Sequence, residues 1–154
     1  MKDRRATAAV WSLFVAVAVV SGVLVLRRPP GDRLSDLHIY YGAAQTVGAG
    51  LPLYDYVADN GGPFTYPPFA VLVLRPLTLV PEAALRIVWL VLVCAAVAAI
   101  AAAVARGRSR AVVAATACAL LVSAPAQSNL RFGQVSVFIV LLALVDALGL
   151  TPTR

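Results

Sequence analysis

Residues 6–26 form 21 consecutive positions without a charge, and no other feature limits the fold of this chain so strongly. At about 1.5 Å rise per residue, a helix of that length reaches about 31 Å, the thickness of a bilayer's hydrocarbon core. Lys2, Arg4 and Arg5 precede the run. It is longer than the roughly 7–15 apolar residues of a cleaved signal peptide, and no small-x-small cleavage pattern follows before Arg27. It reads as an uncleaved signal-anchor helix. Residues 87–105 repeat the pattern with 19 uncharged positions.

Composition extends the argument to the whole chain. The 154 residues are 61% hydrophobic and 13% charged, against about 45–50% and about 25% in a soluble domain. A sphere this small has too little interior to hide that much apolar surface. A water-soluble monomer and a disordered chain are both excluded. Cys94 and Cys118 are too few for a disulfide framework and fall within apolar runs, where they read as packing residues. Residues 111–128 and 134–150 supply two further apolar segments, the second carrying Asp146 near its far end. The expectation is an all-α integral membrane protein with about four spans of roughly 20 residues each.

Residues 64–81 are apolar but interrupted by Pro67-Pro68, Arg75-Pro76 and Pro81. A spanning helix tolerates neither a central proline nor a central arginine cheaply. A proline-broken juxtamembrane or re-entrant segment fits better, because irregular backbone survives beside protein or a wet cavity.

The net charge of +6 would suggest nucleic acid in a soluble protein. Here the basic residues punctuate apolar segments, so they report orientation and lipid headgroups, and no nucleic-acid partner is expected. Lys2, Arg4, Arg5, then Arg106, Arg108, Arg110, then Arg154 are assigned to the cytoplasmic side. The amino terminus is then cytoplasmic, and residues 27–63 and 126–134 lie on the outer face. Arg27 and Arg28 are exceptions to that rule, and Asp32 is the expected offset.

Residues 27–63 hold four of the seven acidic residues, four of the five tyrosines and the sole histidine, His38. The pattern predicts a short helix over 36–47, with Ser35 or Asp36 as N-cap and Gly48 and Gly50 ending it. Asp36 and Tyr40 then share a face. A carboxylate at an apolar boundary can act as a general base; the same residue also reads as a solvated or capping aspartate. One histidine among scattered aspartates is too few ligands for a metal, and no phosphate-binding glycine loop is present. Arg131, between Asn129 and Gln134, can grip a phosphate with two donors or serve a lipid headgroup. Arg75 can do the same or snorkel to the surface.

Three motifs in order carry a family resemblance. They are Asp36-Leu-His-Ile-Tyr40-Tyr41-Gly-Ala-Ala; Leu53-Tyr54-Asp55 followed by Phe64-Thr-Tyr66-Pro67-Pro68-Phe69-Ala; and Ser128-Asn129-Leu-Arg131-Phe-Gly133-Gln134-Val135. Together they resemble bacterial glycosyltransferase family 87. The resemblance implies a C-type glycosyltransferase-like helical bundle in the bacterial plasma membrane. It implies an inverting hexosyl or mannosyl transfer from a polyprenyl-phosphate sugar, typically polyprenyl-phosphate mannose, to a lipid or glycan acceptor, with no cofactor. Asp36 matches the first-loop catalytic aspartate. Tyr40, Tyr41 and Tyr66 would line the substrate site, with Arg131 and Gln134 near the donor phosphate. Members of the family are several hundred residues long, so the expectation is a truncated bundle covering the amino-terminal portion. The rival expectation is a non-catalytic polytopic membrane protein.

Overall fold

A computed structural model describes residues 2–149; Leu150 and Arg154, which the sequence reading places at the end of the last span and on the cytoplasmic side, lie outside the described residues. Among the described residues seven α-helices follow one another: α1 (Lys2–Leu26), α2 (Ser35–Gly48), α3 (Pro68–Leu74), α4 (Glu82–Val104), α5 (Arg110–Val122), α6 (Ala124–Phe132) and α7 (Ser136–Ala147). Short 3-10 turns lie at Leu53–Asp55 and Arg75–Leu79. Among the described residues the only β pairing is an isolated bridge between Val57 and Pro63.

The chain is an all-helical membrane protein, with fewer long helices than about four. α1 and α4 are long and apolar enough to cross a bilayer, and the bent pair α5–α6 would make a third span. The uncharged run 111–128 is not one helix because Pro125 interrupts it. Proline has no N–H to give the carbonyl four residues back, and its ring crowds that carbonyl. The chain turns extended at Ser123, and α6 restarts with the proline in its first turn, where a missing donor costs nothing. The two helices meet at 62°. The carbonyl orphaned by Pro125 is that of Leu121, and the Gln127 side chain donates to it at 2.7 Å. The same amide nitrogen donates to buried Ser21 in α1 at 3.1 Å. α7 has only 12 residues.

Small residues let the long helices approach closely. Ala114, Ala117 and Leu121 of α5 are fully buried where α5 packs between α1 and α4. Large side chains such as Leu13, Val19 and Leu24 on α1, Val91 and Leu92 on α4, and Leu142 on α7 stay exposed. Apolar surface on this scale needs a surround other than water.

The two ends of the bundle differ. Arg4 and Arg110 line one cleft, so the start of α1 and the basic turn between α4 and α5 share an end. The other end is built around α2. Both ends of the segment 64–81 return to α2: the Tyr66 hydroxyl meets Tyr40, and Glu82, just after Pro81, meets His38 at 2.8 Å. Between them α3 and its 3-10 turn pack against α2. α2 begins one residue earlier than the sequence pattern predicts. Its N-cap is Leu34, in a left-handed conformation with φ 51°, rather than Ser35 or Asp36. Leu34 is fully buried and its N–H donates to the Arg131 carbonyl at 2.9 Å. Packing has overridden capping preference here, and such a conformation costs about 1–3 kcal/mol that its surroundings must offset.

Candidate functional site

Asp36 sits in the first turn of α2, where the helix's positive end favours a carboxylate. It is half-buried and accepts a hydrogen bond from Ser35 Oγ at 3.3 Å. Its neighbours in charge are otherwise engaged. Asp32 is bonded to Arg28 and Arg131, and Glu82 to His38 and Arg86. Among the described residues, no cation pairs with Asp36. Its carboxyl oxygens accept only from Ser35 Oγ among the described residues.

One turn further on, Tyr40 points inward and is buried. Its hydroxyl lies 3.1 Å from that of Tyr66, and the two rings meet edge to face at 5.5 Å. Two hydroxyls in mutual contact use one hydrogen between them, which leaves the other free to donate. Burial, and then the bond to Tyr66, pushes the Tyr40 phenol far above its ordinary value. It stays neutral at any physiological pH and acts only through hydrogen bonds. Tyr54, on the loop, donates to the Tyr66 carbonyl at 3.2 Å and steadies that partner.

Below this pair an apolar groove of about 640 Å³ runs between α3, α4 and α7. Tyr40, Tyr66, Phe69, Trp89, Leu92 and Phe138 are among its walls. Trp89 packs edge to face on Phe138 at 5.2 Å, and its buried indole N–H has no partner. Its lining is almost wholly hydrocarbon, which matches an apolar chain.

Of the expected site residues, the fold brings Asp36, Tyr40 and Tyr66 together. Tyr41 is half-buried against the core, away from the groove lining. Gln134 is engaged through its backbone: its N–H donates to the Asn129 carbonyl at 3.2 Å, and its own carbonyl accepts from the Asn129 amide. Arg131 lines a different cleft, between α1 and α6. There its Nη2 and Nε donate to one oxygen of Asp32, at 2.6 and 3.2 Å. Arg28 donates to the other oxygen at 2.8 Å, so Asp32 does offset Arg28. These bonds hold the Asp32 carboxyl below the ordinary carboxylate range, Arg131 first and Arg28 second.

Several supporting residues escape a sequence reading. His38 Nδ1 reaches Glu82, which also accepts from Arg86 at 2.7 Å, and so α2 is tied to the start of α4. The Glu82–Arg86 spacing of four was a local signal; the His38 tie had none. Buried Asn129 accepts from Ser136 Oγ at 2.7 Å and fixes the α6–α7 connection. Gly133 ends α6 at φ 71°, and a Cβ there would fall 2.9 Å from that of Leu37. Only glycine closes that turn against α2 without strain.

The model of glycosyltransferase family 87 matches residues 64–154. That stretch contains Tyr66, Arg131 and Gln134, while Asp36, Tyr40 and Tyr41 precede it. Two similar relatives are polyprenol-phosphate-mannose-dependent alpha-(1-2)-phosphatidylinositol pentamannoside mannosyltransferases. The one from Mycolicibacterium smegmatis is 41% identical over 73 residues, 44% of this chain and 18% of the relative. The one from Mycobacterium tuberculosis is 41% identical over 73 residues, 44% of this chain and 17% of the relative. The match thus spans less than a fifth of the length of either relative. No solved structure matches.

Proposed function

The chain belongs to glycosyltransferase family 87, and from that premise we propose that it carries the acceptor-activating part of an inverting membrane mannosyltransferase. Its donor is a polyprenyl-phosphate mannose, and its acceptor is a phosphatidylinositol mannoside, the classes named for its relatives. Neither step calls on a cofactor.

The observation that carries this reading is the placing of Asp36. A carboxyl that pairs with no cation among the described residues lies one helical turn before Tyr40, and the Tyr40–Tyr66 pair lines a groove shaped for hydrocarbon. In the reaction Asp36 takes the proton of the acceptor hydroxyl. That oxygen forms its bond to the anomeric carbon as the bond from that carbon to the phosphate oxygen breaks. The configuration inverts, and the polyprenyl phosphate leaves with the bonding electrons. The groove receives the prenyl chain, and the free hydroxyl hydrogen of the tyrosine pair is offered to the sugar or its phosphate. A positioned base supplies about 10²–10⁴-fold in rate, and alignment of the two substrates supplies more. The protein lies in the bacterial plasma membrane, with the Arg4–Arg110 end cytoplasmic and α2 on the outer face, as the basic residues of that end direct.

The test is transfer of labelled mannose from polyprenyl-phosphate mannose to a phosphatidylinositol mannoside by the chain in proteoliposomes. Asp36→Asn should lower the rate about 10²–10⁴-fold; an unchanged rate rejects the base. The other reading of this helical bundle is a non-catalytic polytopic membrane protein. That protein would give no transfer, whether Asp36 is kept or replaced.

A further inference from the structure

We propose that the cleft between α1 and α6 binds the phosphodiester headgroup of an anionic glycerophospholipid through Arg28 and Arg131. The cleft has a volume of about 380 Å³ and is lined by Ser21, Leu24 and Arg28 on one side and Gln127, Ser128 and Arg131 on the other. It shares no lining residue with the groove below Tyr40 and Tyr66. The inference therefore stands whether or not Asp36 is a base.

Asp32 holds one guanidinium on each carboxylate oxygen, so one negative charge faces two positive ones. Arg28 spends only Nη1 on this contact, and Arg131 spends Nε and Nη2. Among the described residues, the other donors of both forks have no protein partner, and both side chains are about 40% exposed. Two fixed forks with free N–H groups match the two non-bridging oxygens of a phosphodiester. Asp32 thus offsets only one of the two positive charges and leaves the other to a ligand.

Arg27, Arg28, Arg33 and Arg131 cluster at the end opposite Arg4 and Arg110, around the C-terminus of α1. The helix C-terminus itself attracts one cation, and Arg33 fills that role by donating to the Leu26 carbonyl at 3.0 Å. Arg28 and Arg131 make no such bond. They remain as an excess of positive charge where the bundle meets the interface, the setting that attracts anionic headgroups.

The wall below the charges selects a lipid over a free phosphate. Leu24 lines the cleft, and Val20, Val23 and Leu24 continue it as an exposed apolar stripe along α1. Acyl chains can follow that stripe into the bilayer, while a soluble phosphate gains nothing from it.

The experiment uses the full chain in phosphatidylcholine vesicles with spin-labelled phosphatidylglycerol, phosphatidylcholine or diacylglycerol, reading the motionally restricted fraction. Phosphatidylglycerol should be preferred over both others. Arg28→Gln should lower that preference about fivefold, the effect of one interfacial arginine. Arg131→Gln should do the same, while Asp32→Asn should keep or raise the preference because it frees donors. Arg28 lies in a surface turn, so its variant decides the matter should Arg131→Gln fail to insert. No preference, an unchanged preference in Arg28→Gln, or an equal loss in Arg27→Gln overturns the site. Displacement by glycerol 3-phosphate overturns the lipid as occupant, and displacement by farnesyl phosphate as effective as phosphatidylglycerol overturns the glycerophospholipid in favour of a prenyl phosphate.

Discussion

The hydroxyl oxygens of Tyr40 and Tyr66 lie 3.1 Å apart, joining α2 to the loop that leads into α3, and both residues line an apolar groove. Asp36 stands one turn before Tyr40 with no cation of its own among the described residues, while Asp32, four residues earlier, has two. These two aspartates should therefore respond in opposite ways to the same substitution.

Asp36→Asn is expected to lower mannosyl transfer about 10²–10⁴-fold while leaving the fold almost unchanged. The lost interaction with the helix end is worth only about 0.3–1 kcal/mol. Transfer assays beside thermal unfolding in detergent check both halves. A large fall in melting temperature accompanying the loss of transfer would assign Asp36 to structure.

Asp32→Asn is expected to act through acid stability. The folded carboxyl lies below its ordinary 3.8 because Arg131 and Arg28 hold it charged. That contribution is fully present above about pH 3.8 and is lost as pH falls through the lowered value. Unfolding followed from neutral pH into acid should show a steeper loss in the wild type than in the variant. Parallel curves would mean that the two arginines do not hold Asp32 in solution.

Tyr40 should not ionise with the other tyrosines. Burial and Tyr66 keep its proton on above the ordinary 10.0. The unfolded chain ionises first, so this stabilisation is present below about pH 10 and declines as pH rises beyond it. An alkaline titration read by phenolate absorbance should leave Tyr40 silent until unfolding, and Tyr40→Phe should flatten the alkaline decline. A phenolate signal removed by Tyr40→Phe in the folded protein would contradict the buried placement.

Gly133→Ala should destabilise by about 1–3 kcal/mol, since it forces a side chain into φ 71° and against Leu37. Gly42→Ala should also be costly, because a Cβ there falls on the Tyr56 ring. Thermal unfolding of both variants, with Gly48→Ala as the control in open space, separates crowding from a general effect of losing glycine.

The sequence was most legible where one segment's transfer into hydrocarbon decides the outcome. The runs 6–26 and 87–105 correspond to α1 and α4 because length without charge is a local property. The break near Pro125 was visible as a residue, but its outcome was not: α6 turns by 62°, and the freed Leu121 carbonyl is satisfied by Gln127. Asp36 and Tyr40 share a helix, so their proximity followed from spacing. Arg131 and Asp32 are 99 positions apart, and no periodicity connects them. Leu34 was illegible for another reason, since local preference argues against its conformation and only the packing of α6 on α2 sustains it.

Phe69, Val73, Leu92, Ile139 and Leu142 line the groove below Tyr40 and are also exposed. The groove thus opens sideways, through the surface that the long helices turn toward lipid. A ligand arriving there travels in two dimensions. Its effective concentration is a mole fraction in the membrane, and adding inert lipid at fixed aqueous volume dilutes it. Saturation curves plotted against bulk concentration would then differ from one vesicle preparation to the next and coincide when replotted per unit of membrane area.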